Sequence, residues 1–175
     1  MITITEALQE LKTISQRVSK KQEAIASYVA RDSRIVDPLV KHGGSEKFIT
    51  EERQSINDLR NRMIGIRSSI QSANLSNQLT IAGVTRSVAD WLTWRREIAT
   101  GEQTFISLLL SNIRRVRDNS QTKAVRSAME VTEPVNVTVN LDEQKLVKEG
   151  EQVETCLSEL DGKLSLFNAV TTINV

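Results

Sequence analysis

The sequence predicts a mainly α fold with a small β-sheet (α+β): an elongated bundle of about four long helices with coiled-coil-like seams and a short antiparallel sheet at one end. Three observations lead there. Apolar residues recur at spacings of three and four in four long segments. Short β-prone runs adjoin the ends of those segments. Only 7 Gly and 2 Pro interrupt the 175 residues. The length suits one domain spanning residues 1–175.

The first helix is expected over residues 5–31, behind a strand at 2–4, with Leu11, Ile14, Val18, Ile25 and Val29 on one face and Thr5 capping the first turn. Residues 32–48 hold Asp37-Pro38 and Gly43-Gly44 and read as a loop. The second helix, 50–73, carries the strictest pattern. Ile56, Leu59, Met63, Ile66, Ile70 and Ala73 step by 3, 4, 3, 4, 3, the seam of a coiled coil, so it should pair with the first helix as an antiparallel hairpin.

After Asn74-Leu75-Ser76-Asn77, strands at 78–82 and 84–86 should turn at Ala82-Gly83. Ser87 then caps a third helix, 87–117, patterned through Ile98, Phe105, Leu109, Ile113 and Val116, with Gly101 bending it. Residues 118–133 read as a loop with a short helical turn at 123–130. Val135, Val137 and Val139 alternate with Asn136, Thr138 and Asn140, the period of a strand over 135–140. Asp142 is the expected cap of a fourth helix, 142–167. Its seam is Leu146, Gly150, Val153, Leu157, Leu160, Leu164 and Phe167, and a strand follows at 170–175.

The chain repeats itself. Ile66, Ile70, Asn74, Leu79 and Ile81 match Leu160, Leu164, Asn168, Ile173 and Val175 at one offset of 94 residues. A strand followed by a capped helix also recurs at Ile2–Leu11, Val84–Leu92 and Val135–Leu146, which should gather the helix ends at one sheet. Neither a single amphipathic helix nor a two-stranded ribbon is stable alone in water, so the two must support each other. Strand edges left unpaired at Val135, Val137, Val139, Ile173 and Val175 are the expected association edges.

Composition narrows the chemistry. A net charge of +1 supplies no strong field for nucleic acid or an acidic membrane. One His and one Cys cannot build a His/Cys metal cage or a disulfide within the chain. No basic start with an apolar run marks a signal peptide, and no stretch suits a membrane span.

Single residues add little. His42 before Gly43-Gly44 lacks P-loop spacing and reads as a plain loop. Cys156 beside the Leu157 seam reads as a structural thiol. Arg114, Arg115 and Arg117, with Lys123 and Arg126 beyond, are the one basic cluster able to contact phosphate or a partner, but no aromatics interleave them. Trp91 and Trp94, followed by Arg95 and Arg96, read as core and rim. Glu51-Glu52 and Asp142-Glu143 suit helix starts. The acceptor patterns at Asn74 and Asn136 read as polar residues at strand borders.

Three segments resemble the septicolysin-like family of small helical proteins of bacteria and tailed bacteriophages: Ile4-Thr5-Glu6-Ala7-Leu8, the run Asn74 to Gly83 with the helix from Ser87, and Glu159-Leu160-Asp161 through Asn168 to Ile173. The strand at 135–140 and the Trp91/Trp94 pair depart from it. The resemblance implies a structural or assembly role, as a multi-copy virion component made in the host cytoplasm, and carries over no catalytic residue. The expected partners are further copies of the chain and other virion proteins. No catalytic residue, metal or cofactor is expected, nor a small-molecule substrate, membrane or nucleic-acid partner. The alternative is a bacterial cytoplasmic adaptor or regulator whose coiled-coil faces bind another protein.

Overall fold

The computed structural model describes residues 1–127 and 137–175, with side chains described outside 121–136. It is mainly helical, with two small antiparallel sheets of two strands each. In chain order the elements are β1 (Ile2–Thr3), α1 (Ile4–Tyr28), α2 (Gly44–Ser76), β2 (Gln78–Ile81), β3 (Val84–Ser87), α3 (Val88–Thr93), a π-helical segment (Trp94–Ala99), α4 (Thr100–Ser127), α5 (Glu143–Val170) and β4 (Thr172–Ile173). The residues fall into two compact units. Residues 1–77 and 165–175 form one, and 78–164 form the other.

In the first unit α1 and α2 form the expected antiparallel hairpin. Glu10 pairs with Arg62 at 2.9 Å and Lys21 with Glu52 at 2.7 Å, so positions that advance along α1 meet positions that retreat along α2. Tyr28 and Phe48 close its far end edge to face, 5.3 Å between centroids. Along α1, Ile4, Ala7, Leu11 and Ile14 are buried, as are Ile56 and Ile66 of α2, while Leu59, Met63 and Ile70 are half-buried.

Helix α1 begins earlier than its sequence pattern suggests. The cap is Thr3, not Thr5: the Glu6 N–H donates to the Thr3 hydroxyl and the Thr3 N–H to the Glu6 carboxylate, a reciprocal capping box. Both Thr3 bonds hold the Glu6 carboxyl below its ordinary pKa, the backbone bond most strongly. Helix α2 also begins earlier, at Gly44. Gly43 and Gly44 take φ of 92° and 88°, which side chains rarely adopt, and so turn the chain from a 3-10 turn at Val40–His42 into the helix.

In the second unit β2 and β3 form the predicted hairpin, Gln78 opposite Ser87 and Ile81 opposite Val84. Ala82 and Gly83 turn it with φ of 48° and 79°, positive at both central positions as the right-handed strand twist favours. Ser87 caps α3 by accepting the Asp90 N–H. Trp91 is buried, its indole N–H donating to the Leu79 carbonyl at 2.9 Å, so the first turn of α3 is tied to the hairpin. The third helical stretch runs on to Ser127 rather than stopping near 117, because nothing from 118 to 127 breaks a helix and Pro134 lies beyond it. Asp142 caps α5 as expected, accepting the Lys145 N–H.

The duplication is visible in backbone bonds. Helix α2 ends at Ser76 and α5 at Val170, and each closes with the same bond 94 residues apart: Asn77 N–H to the Ala73 carbonyl, Thr171 N–H to the Phe167 carbonyl. Asn74 and Asn168 are helical in both copies, so they do not end the helices, and Asn74 borders no strand. At the other ends the capping residue Thr3 pairs with Thr172, as Ser87 pairs with Gln78. The chain is thus two β-α-α-β repeats, the first strand of each pairing with the last strand of the other. The π segment absorbs one extra residue: Ala7 matches Trp91 at an offset of 84, whereas Ile14, Val18 and Ile25 match Ala99, Gln103 and Leu110 at 85, with the same burial.

The single sheet expected from the sequence is replaced by two ribbons for a physical reason. Beside β2, the Ala82 N–H donates to Glu159 and Lys163 donates to the Thr80 carbonyl, so α5 side chains take the place of a third strand. Beside β4, the Ser69 hydroxyl donates to the Asn174 carbonyl. The predicted strand at 135–140 is not formed over its described part. Val137 and Val139 are half-buried, but among the described residues no strand pairs with them, and period-two patterning does not by itself make a strand without a partner. Val135 and Asn136 lie outside the described residues.

Two substitutions check this account by urea unfolding. Ile66→Ala and Leu160→Ala, at fully buried matching positions, should each cost about 2–5 kcal/mol. Ala82→Gly should instead stabilise by up to about 1 kcal/mol, since glycine relieves the positive φ and gives part of that back as chain entropy.

Candidate functional site

The feature with the most chemistry before α2 is the loop that the sequence marks with His42, Gly43 and Gly44. A helix N-terminus attracts anions through its free N–H groups, and here the chain supplies its own. One Asp37 oxygen accepts the Ser45 N–H at 2.7 Å, and the other accepts the Ser45 hydroxyl at 2.6 Å and the Leu39 N–H at 2.9 Å. The Ser45 hydroxyl, then the Ser45 and Leu39 N–H groups, hold the Asp37 carboxyl at about 2, below its ordinary 3.8. The site is internally satisfied, and His42 stands exposed beside it.

In the second unit α4 and α5 stand apart enough to leave open grooves on either side of Ile106. One, of about 340 Å³, is lined by Trp94, Glu102, Phe105, Glu149, Val153 and Cys156. The other, of about 490 Å³, is more polar and runs between Gln103, Ser107, Leu110, Val147, Glu151 and Glu154. Across this space a methyl group on Gly150 would lie 3.6 Å from Ile106, in ordinary contact. The repeat explains the first groove. Trp94 and Cys156 occupy the positions that Glu10 and Arg62 hold in the first repeat, where an ion pair bridges the two helices. In the second repeat that bridge is gone and an apolar trough remains.

The remaining sequence candidates divide. Of the seam residues in α5, Leu160 and Leu164 are buried and Val153 and Leu157 half-buried. Trp91 and Trp94 meet edge to face at 5.5 Å, and the cation over Trp91 is Arg86, 5.2 Å from its centroid, rather than Arg95 or Arg96. Arg95 pairs with Asp161 and Arg96 with Glu97. Arg117 pairs with Glu143 at 2.6 Å, whereas Arg114 and Arg115 are exposed and make no ion pair among the described residues. The side chains of Lys123 and Arg126 lie outside the described residues. Glu52 joins Lys21 and Glu51 faces Lys47, helix-surface pairs rather than an acid/base couple.

Comparison with protein-family models, curated proteins and solved structures finds no match to this chain. Its function is therefore argued from its own surface. Among the described residues no helix is long and apolar enough to cross a membrane, and no three of His, Cys, Asp and Glu gather as a metal would need.

The expected association edges are placed differently from the sequence reading. Ile173 is buried in β4 opposite Ile2, and Val175 lies past the strand and exposed. Strand β4 is only Thr172–Ile173, and just past it the Asn174 carbonyl accepts from the Ser69 hydroxyl. What the sequence reading missed is a second stripe on α4. Phe105 and Val116 belong to a face that is exposed together with Leu108, while the inward face is Ala99, Gln103, Ile106, Leu110 and Ile113. Two interleaved apolar sets on one helix were the available signal.

Asp37→Asn tests the loop. A carboxylate with a lowered folded pKa stabilises above the unfolded value and loses that contribution as pH falls through about 2. The wild type should therefore exceed the variant in thermal midpoint at pH 5 to 7, with the gap closing towards pH 2.

Proposed function

We propose that this protein is a non-enzymatic structural component that works by self-association and docking, as one of many copies in a bacteriophage particle. The observation supporting association is the exposed apolar surface of the second repeat: Ile98, Phe105, Leu108, Val116 and Val147 all stand in solvent. Isolated exposed apolar residues are ordinary, but several on one helix face mark a contact surface. The helical repeats supply stiffness, and the grooves are open troughs rather than enclosed pockets with converging catalytic groups. The particle setting rests on the resemblance of Ile4–Leu8, Asn74–Gly83 and Glu159–Ile173 to the septicolysin-like proteins.

A second reading is an adaptor whose α4–α5 trough holds a helix of another protein. The apolar floor of Val153, Phe105 and Cys156 favours it. Light scattering on the purified full chain separates the two. A defined oligomer at micromolar concentration is expected, and a monomer at every concentration up to about 100 μM would overturn self-association in favour of the adaptor.

A further inference from the structure

At the offset of 94 residues, α2 and α5 carry opposite charge on one face. Arg53, Arg60 and Arg67 stand seven residues apart along α2, each exposed and making no ion pair among the described residues. Successive arginine positions are about 10 Å apart along the helix. On the α1 side of this face Val18, Gln22 and Ile25, the counterparts of Gln103, Ser107 and Leu110, are uncharged. The carboxylate that continues the stripe, Glu46, is in the first turn of α2, seven residues before Arg53. The matching α5 positions are Val147, Glu154 and Asp161, and Asn57 is matched by Glu151. Glu151 and Glu154 are exposed, make no ion pair among the described residues, and line the more polar trough, whose lining includes no Lys or Arg. Of the cations around it, Arg95 is held by Asp161 and Arg117 by Glu143, Lys148 stands a turn before Glu151 without lining the trough, and Arg114 lies a turn past Leu110.

One chain thus carries both a basic helix face and an acidic trough, which makes a second copy the occupant. Shape sets the orientation. Ile64, between Arg60 and Arg67 in the stripe, is 66% exposed. With Arg60 opposite Glu154, antiparallel packing of α2 along α5 places Ile64 opposite Gly150, where the trough is lined by Ile106, Leu110 and Val147 and no side chain of α5 intervenes. Parallel packing places it opposite Ser158 instead. Single exposed ion pairs contribute little, so the Ile64 contact supplies affinity while the charges select partner and direction. We infer that α2 of one copy docks in the polar α4–α5 trough of a second copy, antiparallel to α5, with Ile64 over Gly150 and with Arg60 and Arg67 at Glu154 and Glu151. The two surfaces differ, so the contact is heterologous: each copy offers α2 to one neighbour and its trough to another, building a ring or a chain of many copies. This deepens the self-association reading and rests on it.

Sedimentation of full-length chains at low salt, with circular dichroism confirming helix content, tests it. Arg60→Glu, Glu154→Arg and Ile64→Glu should each weaken assembly about tenfold or more, whereas Arg17→Glu, elsewhere on the exposed surface, should leave it unchanged. Mixing the Arg60→Glu and Glu154→Arg chains should restore assembly, because every α2 then finds a trough of opposite charge. In chains that also carry Cys156→Ser, Ile64→Cys mixed with Gly150→Cys should cross-link under mild oxidation in preference to either homodimer; failure to do so would overturn the antiparallel orientation. Assembly indifferent to the charge reversals, or a mixture that stays dissociated, would overturn this interface while leaving self-association standing. A wild type that is monomeric throughout would overturn both.

Discussion

Two pairs of very short strands hold this chain in register. A two-residue ribbon such as Ile2–Thr3 with Thr172–Ile173 is far too small to persist alone in water. It persists because each strand is the direct continuation of a long helix, and because the capping residue of one helix sits opposite the first strand residue after another: Thr3 opposite Thr172, Ser87 opposite Gln78. Helix capping, strand pairing and helix termination are therefore one event at each junction. The β2–β3 junction is covalently closed by Ala82-Gly83, whereas the β1–β4 junction joins the two ends of the sequence.

Equivalent junctions do not require equivalent helices. In the first repeat, ion pairs at Glu10–Arg62 and Lys21–Glu52 bridge the outer parts of the hairpin. In the second, those positions hold Trp94 with Cys156 and Ile106 with Leu146, and α4 and α5 flank open troughs. Partly exposed ion pairs contribute little stability but keep a well-solvated surface; of the residues in their place Leu146 is buried and Trp94, Ile106 and Cys156 are half-buried. Two related repeats thus share their strand–helix junctions while differing in the side chains that line the space between their helices.

Much was legible in the residues. The 3-4 spacing of Ile56 to Ala73 and of Leu146 to Phe167, the turn at Ala82-Gly83, the caps at Ser87 and Asp142, and the offset of 94 all correspond to features of the structure. Three things were not. The Thr3/Glu6 box was overlooked because Thr5 stands closer to the apolar pattern. Asp37 looked like part of a plain loop, although it reaches eight residues on to cap α2. The alternating valines after Pro134 looked like a strand, but alternation states only that one side is apolar and says nothing of a partner.

Helix positions, their apolar faces and the internal duplication follow from local rules: side-chain spacing, capping chemistry and the low cost of positive φ at glycine. Those rules act over a few residues and can be read along the chain. Which strands pair, that Glu159, Lys163 and Ser69 replace third strands, and which of two apolar stripes on α4 faces inward were settled only in three dimensions. Each depends on groups far apart in sequence competing for the same backbone donor or the same buried surface, and that competition has no signature in any short window.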